Sequence, residues 1–471
     1  MIFNSFTFLV CFPLIFMLYY IIPAKFQKAR NLFLLIVSYW LYMNWKPAYA
    51  LVLLGVTLVT YGGGYLLEFK VGHKKRLVWL FALLALIPLL VFKYYNFLND
   101  SIREGLASIG LSCSLPGLNW AIPVGISFFT FQAVGYMLDV YHGHIKAEKN
   151  FLSYALFISF FPSIVAGPIN KASLVLPQIK KLRLYFDYEK TVEGLKLLLW
   201  GMFMKVVVAD RVALYADTVL NNYMNYTGVS CFVASIMYTV QIYADFAGYS
   251  LMAIGVGKSL GFELTENFRR PYFAISITDF WRRWHISLST WLKDYVYIPL
   301  GGSRCSRQRN YWNIFVTFLV SGIWHGANWT FIVWGIWHGI AQIIEKAIGQ
   351  QNCNYGWFGK TIKILITFLL VNFAWIFFRM PSIGDACHVI SRIFDYSLPV
   401  GLFLPHKTTT LLIIFGICML LIKDIYEENH DRLFLFDDRR MIVRWCSYIL
   451  IMITIIIVGV LGSDQFIYAN F

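Results

Sequence analysis

His325 stands in the run Ser321-Gly322-Ile323-Trp324-His325-Gly326-Ala327-Asn328-Trp329, between the apolar flanks 314–320 and 330–337. An ionisable side chain at membrane depth is costly and usually faces a cavity or a partner. An imidazole can take and return a proton near neutral pH, so general acid–base chemistry is open to it. Gly322, Gly326 and Ala327 leave room beside the ring for an approaching backbone or a substrate. The competing reading is a histidine that only hydrogen-bonds a neighbouring helix. His338 follows thirteen residues later. At about 100° per residue it would lie roughly 220° around a continuous helix. The two rings would then face different sides, so a two-histidine metal site is not expected and His338 reads as packing or support.

A second constellation is Asp279-Phe280-Trp281-Arg282-Arg283-Trp284-His285-Ile286-Ser287-Leu288-Ser289. Thr278 or Asp279 could cap a helix starting here. The segment could bring a histidine and cations together near an anionic donor, or it could be an interfacial anchor in which Arg and Trp hold depth. Both readings stay open. A third feature is Gln241, Asp245 and Tyr249, spaced i, i+4, i+8 and so on one helix face. Such a stripe in a membrane helix should meet protein or a water-filled cavity, and contact between helices is the more common explanation. His73, His406 and His430 fall among charged residues in expected loops. No nucleophile elbow, phosphate loop, dinucleotide fingerprint or carboxylate pair is present. The eight cysteines, at 11, 113, 231, 305, 353, 387, 418 and 446, have neither zinc-like spacing nor the look of a disulfide framework. No metal site is expected.

These residues need a membrane scaffold. Of 471 residues 59% are hydrophobic and only 14% charged, where soluble domains carry about 25% charged residues. The net charge of +15 would suit nucleic acid in a soluble protein. Here the basic residues form short clusters between apolar runs: Lys25, Lys28 and Arg30; Lys70, Lys74, Lys75 and Arg76; Lys171, Lys180, Lys181 and Arg183. That is the pattern of loops near anionic lipid, and no nucleic-acid partner is expected. Apolar stretches of span length lie at roughly 5–22, 30–45, 49–68, 77–93, 119–140, 151–168, 191–209, 229–257, 311–346 (room for two), 361–379, 408–423 and 443–461. The first has no basic leader or cleavage site and is expected to be retained. The expectation is an all-α integral membrane protein with about 11–13 membrane helices, re-entrant or interfacial segments included. It is read as one domain over 1–471, with N-terminal spans in 1–118, a motif-bearing core in 119–346 and C-terminal spans in 347–471. Basic clusters facing the cytoplasm put the N-terminus outside. The stretch 171–188 is amphipathic and basic; 265–309 is polar and aromatic, with Pro271, Pro299, Gly301 and Gly302. Neither is a clean span. Interfacial or re-entrant segments would explain both, and a long cytoplasmic loop is the alternative.

Several stretches together resemble the membrane-bound O-acyltransferase family, in its bacterial alginate-type branch. They are Pro123-Val124-Gly125-Ile126-Ser127-Phe128-Phe129-Thr130-Phe131, Val165-Ala166-Gly167-Pro168-Ile169, the run from Gln241 to Ser250, Asp279 to His285 continuing to Tyr297-Ile298-Pro299-Leu300-Gly301-Gly302, and Ser321 to Trp329. Phe377-Phe378-Arg379 and the terminal Phe466-Ile467-Tyr468 are similar too. The resemblance reaches from about residue 120 to the end. It implies helices around a central cavity open towards both sides, with His325 as the family's near-invariant histidine and His285 as the second histidine of bacterial members. Asp245, Gln241, Tyr249, Trp281, Arg282 and Asn328 are the candidates for lining that cavity. The implied reaction is O-acyl transfer, most simply acetyl, from a cytoplasmic thioester (acetyl-coenzyme A or an acyl-carrier protein) to an exported glycan in the bacterial inner membrane. No bound cofactor is expected. A separate extracytoplasmic SGNH-type acetyltransferase would be the partner, and D-alanyl transfer to a teichoic-acid-type polymer is the nearby alternative. His325 would act as general base, with His285 orienting it or the donor carbonyl; a covalent acyl-histidine stays open. A transporter of a donor or lipid-linked sugar, and a scaffold for an export complex, are the readings from other classes.

Overall fold

The computed structural model describes residues 3–69, 72–112, 115–181, 186–349, 356–395, 401–430 and 432–460. Lys70, Cys113, Arg183, Cys353 and the terminal Phe466-Ile467-Tyr468 lie outside them. Every regular element among the described residues is a helix. α1 (Phe6–Ile21) and α2 (Gln27–Met43) meet at a sharp bend, α3 (Tyr49–Phe69) follows, and α4 (Lys74–Ala107) runs through a π-helical turn at Leu90–Tyr94. α5 (Ile126–Tyr141), α6 (Tyr188–Met202) and α7 (Gly228–Ser259) come next. Two short helices, α8 (Ile277–Arg283) and α9 (Ile286–Leu292), precede the hairpin of α10 (Arg307–His325) and α11 (Trp329–Ile348). α12 (Trp357–Arg379), α13 (Lys407–Asn429) and α14 (Met441–Val458) complete the frame.

Six of these, α3, α4, α7, α12, α13 and α14, are long and apolar enough to cross a bilayer alone, and the bent 106° pair of α1 with α2 makes a seventh. The chain is a multi-pass membrane protein. The expected 11–13 membrane helices also include shorter, re-entrant and interfacial segments, which are not among these seven. Several apolar stretches are apolar because they are buried in protein, not because they face lipid. In α5, 14 of 16 residues are buried, as in a helix that is apolar all round. α14 is the opposite, with only Ser447, Ile451 and Ile455 covered.

The two unclear stretches resolve differently. Residues 172–180 form a short helix that buries Ala172, Val175, Leu176 and Ile179, one face at helical spacing. The stretch 265–309 is folded into protein: Ile277, Phe280, Trp281, Trp284, His285, Leu288 and Leu292 are all buried. That excludes a solvated loop and fits a re-entrant segment whose backbone is satisfied internally.

Glycines set the tightest helix contact. A Cβ on Gly201 would lie 2.5 Å from the Gly248 carbonyl oxygen, and one on Gly255 2.4 Å from that of Gly194. Small residues let α6 and α7 approach backbone to backbone. One turn beyond Gly201, Lys205 reaches across to Asp245 at 2.7 Å and to Asp210 at 2.8 Å.

Candidate active site

His325 is the last residue of α10, and Gly326 leaves the helix in an extended conformation. The imidazole is 2% exposed and boxed by rings, with centroids at 4.9 Å to Trp324, 4.8 Å to Trp334 and 5.2 Å to Phe378. The glycines do not leave room for substrate here. A Cβ on Gly322 would meet the Phe331 carbonyl oxygen at 2.4 Å, and one on Gly326 the Phe331 ring at 2.0 Å. Their smallness lets α11 fold back against α10. The break after His325 also removes the continuous helix on which the 220° separation was reckoned. Trp334 touches both imidazoles, at 4.8 Å from His325 and 4.9 Å from His338. His338 is buried, and its Nδ1 accepts a long 3.4 Å bond from Trp281 Nε1.

His285 sits between α8 and α9 with φ of +43°, in the left-handed region that non-glycine residues seldom adopt. The cap of α8 is Ser276, not Thr278 or Asp279. Its Oγ accepts from the Asp279 amide at 3.0 Å, and Asp279 Oδ2 returns a bond from the Ile275 amide at 3.2 Å, which is capping-box logic. Asn267 holds the turn. Its Oδ1 accepts from the Ser287 amide (3.2 Å), the Ser287 hydroxyl (2.9 Å) and His285 Nδ1 (3.0 Å), and its own carbonyl accepts from the Ile286 amide (2.9 Å). Because Oδ1 already faces two donors and Nδ2 donates to Ser250 Oγ at 3.1 Å, the amide orientation is fixed by its network. His285 therefore carries its proton on Nδ1 and presents the lone pair at Nε2, which makes no hydrogen bond among the described residues. The other side of the turn is clasped from α13: Glu428 accepts from Arg270 at 2.9 Å and from Arg283 at 2.9 Å.

The two histidines share a wall. The Trp324 ring lies 5.9 Å from His285 and 4.9 Å from His325, centroid to centroid. Beside them a cleft of about 460 Å³ opens, lined by Trp281, Arg282, Lys293, Ser321, Gln342 and Lys346 among others. Three of its lining residues are cations, Arg282, Lys293 and Lys346, the first two exposed. Arg307 at the start of α10 donates to the Ala347 carbonyl at the end of α11, so these ends lie level. From Arg307 to Ser321 the helix climbs ~21 Å at 1.5 Å per residue. Ser321 and His325 are one helical turn apart on one face. Trp281, which lines the cleft, has its ring 5.6 Å from that of Trp334, and Trp334 lies 4.8 Å from His325.

Of the six candidate cavity residues, Trp281 and Arg282 line this cleft. Asp245 belongs to the buried ion cluster with Lys205, and Tyr249 packs its ring 4.7 Å from Phe3. Gln241 is buried on the same face of α7. Asn328 caps α11, accepting from the Thr330 amide at 3.0 Å and donating to the Pro381 carbonyl at 2.7 Å. Sequence reasoning passed over Lys93, Asn267 and Lys205. For Lys93 and Lys205 a signal existed, since each is a cation inside or at the edge of an apolar run; Asn267 gave none.

The membrane-bound O-acyltransferase family model matches residues 144–383, half of the chain, which spans the α10–α11 hairpin and the His285 turn. The probable alginate O-acetylase AlgI of Pseudomonas syringae pv. tomato is 40% identical over 404 residues, covering 84% of this chain and 76% of that protein. The peptidoglycan O-acetyltransferase of Helicobacter pylori is 34% identical over 421 residues, 83% of this chain and 79% of its own. More distant is the teichoic acid D-alanyltransferase of Bacillus subtilis, 25% identical over 62% of this chain and 75% of its own. The chain belongs to the membrane-bound O-acyltransferase family. Within it, the chain falls in the AlgI-like branch and is an O-acyltransferase. The transporter and scaffold readings are thereby set aside.

Proposed function

We propose that this protein moves an acetyl group from a cytoplasmic thioester to a hydroxyl destined for an exported envelope glycan, with His325 as general base. The observation that carries the reading is the cleft: its lining holds the cations Arg282, Lys293 and Lys346 together with buried Ser321, one turn from His325. These cations suit the phosphates of coenzyme A or of a carrier-linked phosphopantetheine. Arg304, Arg307 and Arg309 lie at the same end of the α10–α11 hairpin, and basic loops mark the cytoplasmic side of a bacterial inner membrane. The similarity to an alginate O-acetylase and a peptidoglycan O-acetyltransferase favours acetyl and a glycan over D-alanyl and teichoic acid.

In the step itself the acceptor oxygen attacks the thioester carbonyl, forming a C–O bond as the C–S bond breaks. The acceptor proton passes to His325 and from there to the leaving thiolate. Base catalysis of this kind contributes about 10²–10⁴ in rate. His285, with its lone pair at Nε2, orients the reacting groups on the far side of Trp324. The acceptor is either a serine of an extracytoplasmic SGNH-type partner or the glycan itself. Labelled acetyl-coenzyme A supplied to inside-out membranes, with the periplasmic fraction and polymer restored, tests the reading. His325→Ala should lose O-acetylation of the polymer while the protein stays in the membrane; undiminished transfer would reject the role.

A further inference from the structure

We infer that Lys93 is a positioning residue for His325, delivered by the π-helical turn in α4. Lys93 is 6% exposed and donates to neutral oxygens: the carbonyls of Trp324 (2.7 Å) and His325 (3.0 Å) and the hydroxyl of Ser127 (3.3 Å). Its neighbour Tyr94 donates to the carbonyl of Ile323. Three consecutive carbonyls at the end of α10 are thus taken by two adjacent side chains of another span. Those carbonyls have no partner within their own helix, and the end they form carries partial negative charge, where a cation is favoured. The π turn at Leu90–Tyr94 supplies the geometry. A π turn inserts one residue into an α-helix and re-aims the side chains around it, and such turns cluster at functional sites.

An ammonium has three protons, and all three are spent on these acceptors. Lys93 therefore holds the backbone and does not touch substrate. It fixes two rings at once, His325 and Trp324, and Trp324 is the wall between the histidines. Its nitrogen also lies 5.8 Å from the Trp324 ring centroid. Gly326 leaves the helix in an extended conformation, so the end of α10 is held by side chains of α4.

The inference rests on the proposed role of His325, and its test separates the two. Full-length protein in membranes, with acetyl-coenzyme A as donor and the envelope polymer as acceptor, is compared as wild type, Lys93→Met, Lys93→Arg, Tyr94→Phe, His325→Gln and the double Lys93→Met/His325→Gln. Lys93→Met should lower kcat per folded molecule by ~30–100-fold with KM for the donor within about threefold, as expected of a misplaced reacting group. Lys93→Arg, which can still donate to two carbonyls, should recover about tenfold of that loss, and Tyr94→Phe should cost about three- to tenfold. In the His325→Gln background Lys93→Met should add no further loss, because residues acting as a unit are not additive. Multiplying losses, or a Lys93→Met kcat within twofold of wild type, overturn the inference. If Lys93→Met does not fold, Tyr94→Phe decides, since a rate per folded molecule equal to wild type contradicts it. Full activity of His325→Gln sinks the catalytic reading instead; isotope-labelled histidine signals of His325, shifted or not in Lys93→Met, then judge positioning alone.

Discussion

His285 donates from Nδ1 to Asn267 Oδ1 across 3.0 Å, inside a turn where His285 itself is fully buried. The bond fixes which nitrogen of the ring bears the lone pair. Asn267→Ala removes it and leaves the Ser287 amide and hydroxyl without their acceptor, at a stability cost of about 1–3 kcal/mol. Transfer per folded molecule should fall by ~10–100-fold with donor KM little changed. Rates and melting of the solubilised protein measure both; transfer within twofold of wild type would show that the tautomer of His285 is irrelevant.

His338 offers a control inside the same aromatic cluster. It touches Trp281 and Trp334 but does not itself line the cleft. His338→Gln should retain activity within about fivefold, whereas His325→Gln should lose 10²–10⁴. Equal losses would move the chemistry off His325.

The Asp245 cluster is expected to hold the fold and not the substrate. Removing one member of a buried ion pair costs ~3–5 kcal/mol, and the lower end applies because Asp210 still faces Lys205. Asp245→Asn should therefore depress thermal stability while the rate per folded molecule stays within threefold. Gly201→Ala, which forces α6 away from α7, should destabilise by about 1–3 kcal/mol in the same assay. A rate loss without a stability loss would return Asp245 to the reaction.

The cations lining the cleft should act on donor capture. Arg282 and Lys293 are exposed, so each substitution by alanine is worth at most about 1 kcal/mol. KM for acetyl-coenzyme A should rise three- to fivefold apiece with kcat held, and the effect should shrink as added salt screens the wild type. Unchanged KM for both variants points the donor to another route.

What the sequence made legible followed from single-residue oddity. His325 stood out because histidine is expensive in an apolar run, and the i, i+4, i+8 register of Gln241, Asp245 and Tyr249 put those residues on one buried face. What stayed hidden needed partners far along the chain. Lys93 reads as the polar end of the stretch 77–93, and nothing local says that its nitrogen meets a carbonyl 232 positions away. Asn267 is one asparagine among many until the backbone of Ser287 closes on it. Which apolar stretches face lipid stayed hidden for a related reason: apolar sequence is the same whether lipid or protein covers it, as α5 shows.

Glu428 bears on how the molecule is made. The strained turn at His285 is clasped by a carboxylate that reaches Arg283 from 145 residues later in the chain, past the last residue of the family match at 383. At about 5–20 residues per second, some 7–30 s of synthesis separate the two partners. Until α13 is inserted, Arg270 and Arg283 lack that counter-charge, so the clasp on the His285 turn closes only after α13 has been made. A chain that stops before α13 lacks this clasp, and the strained turn that carries His285 is then held from the Asn267 side alone.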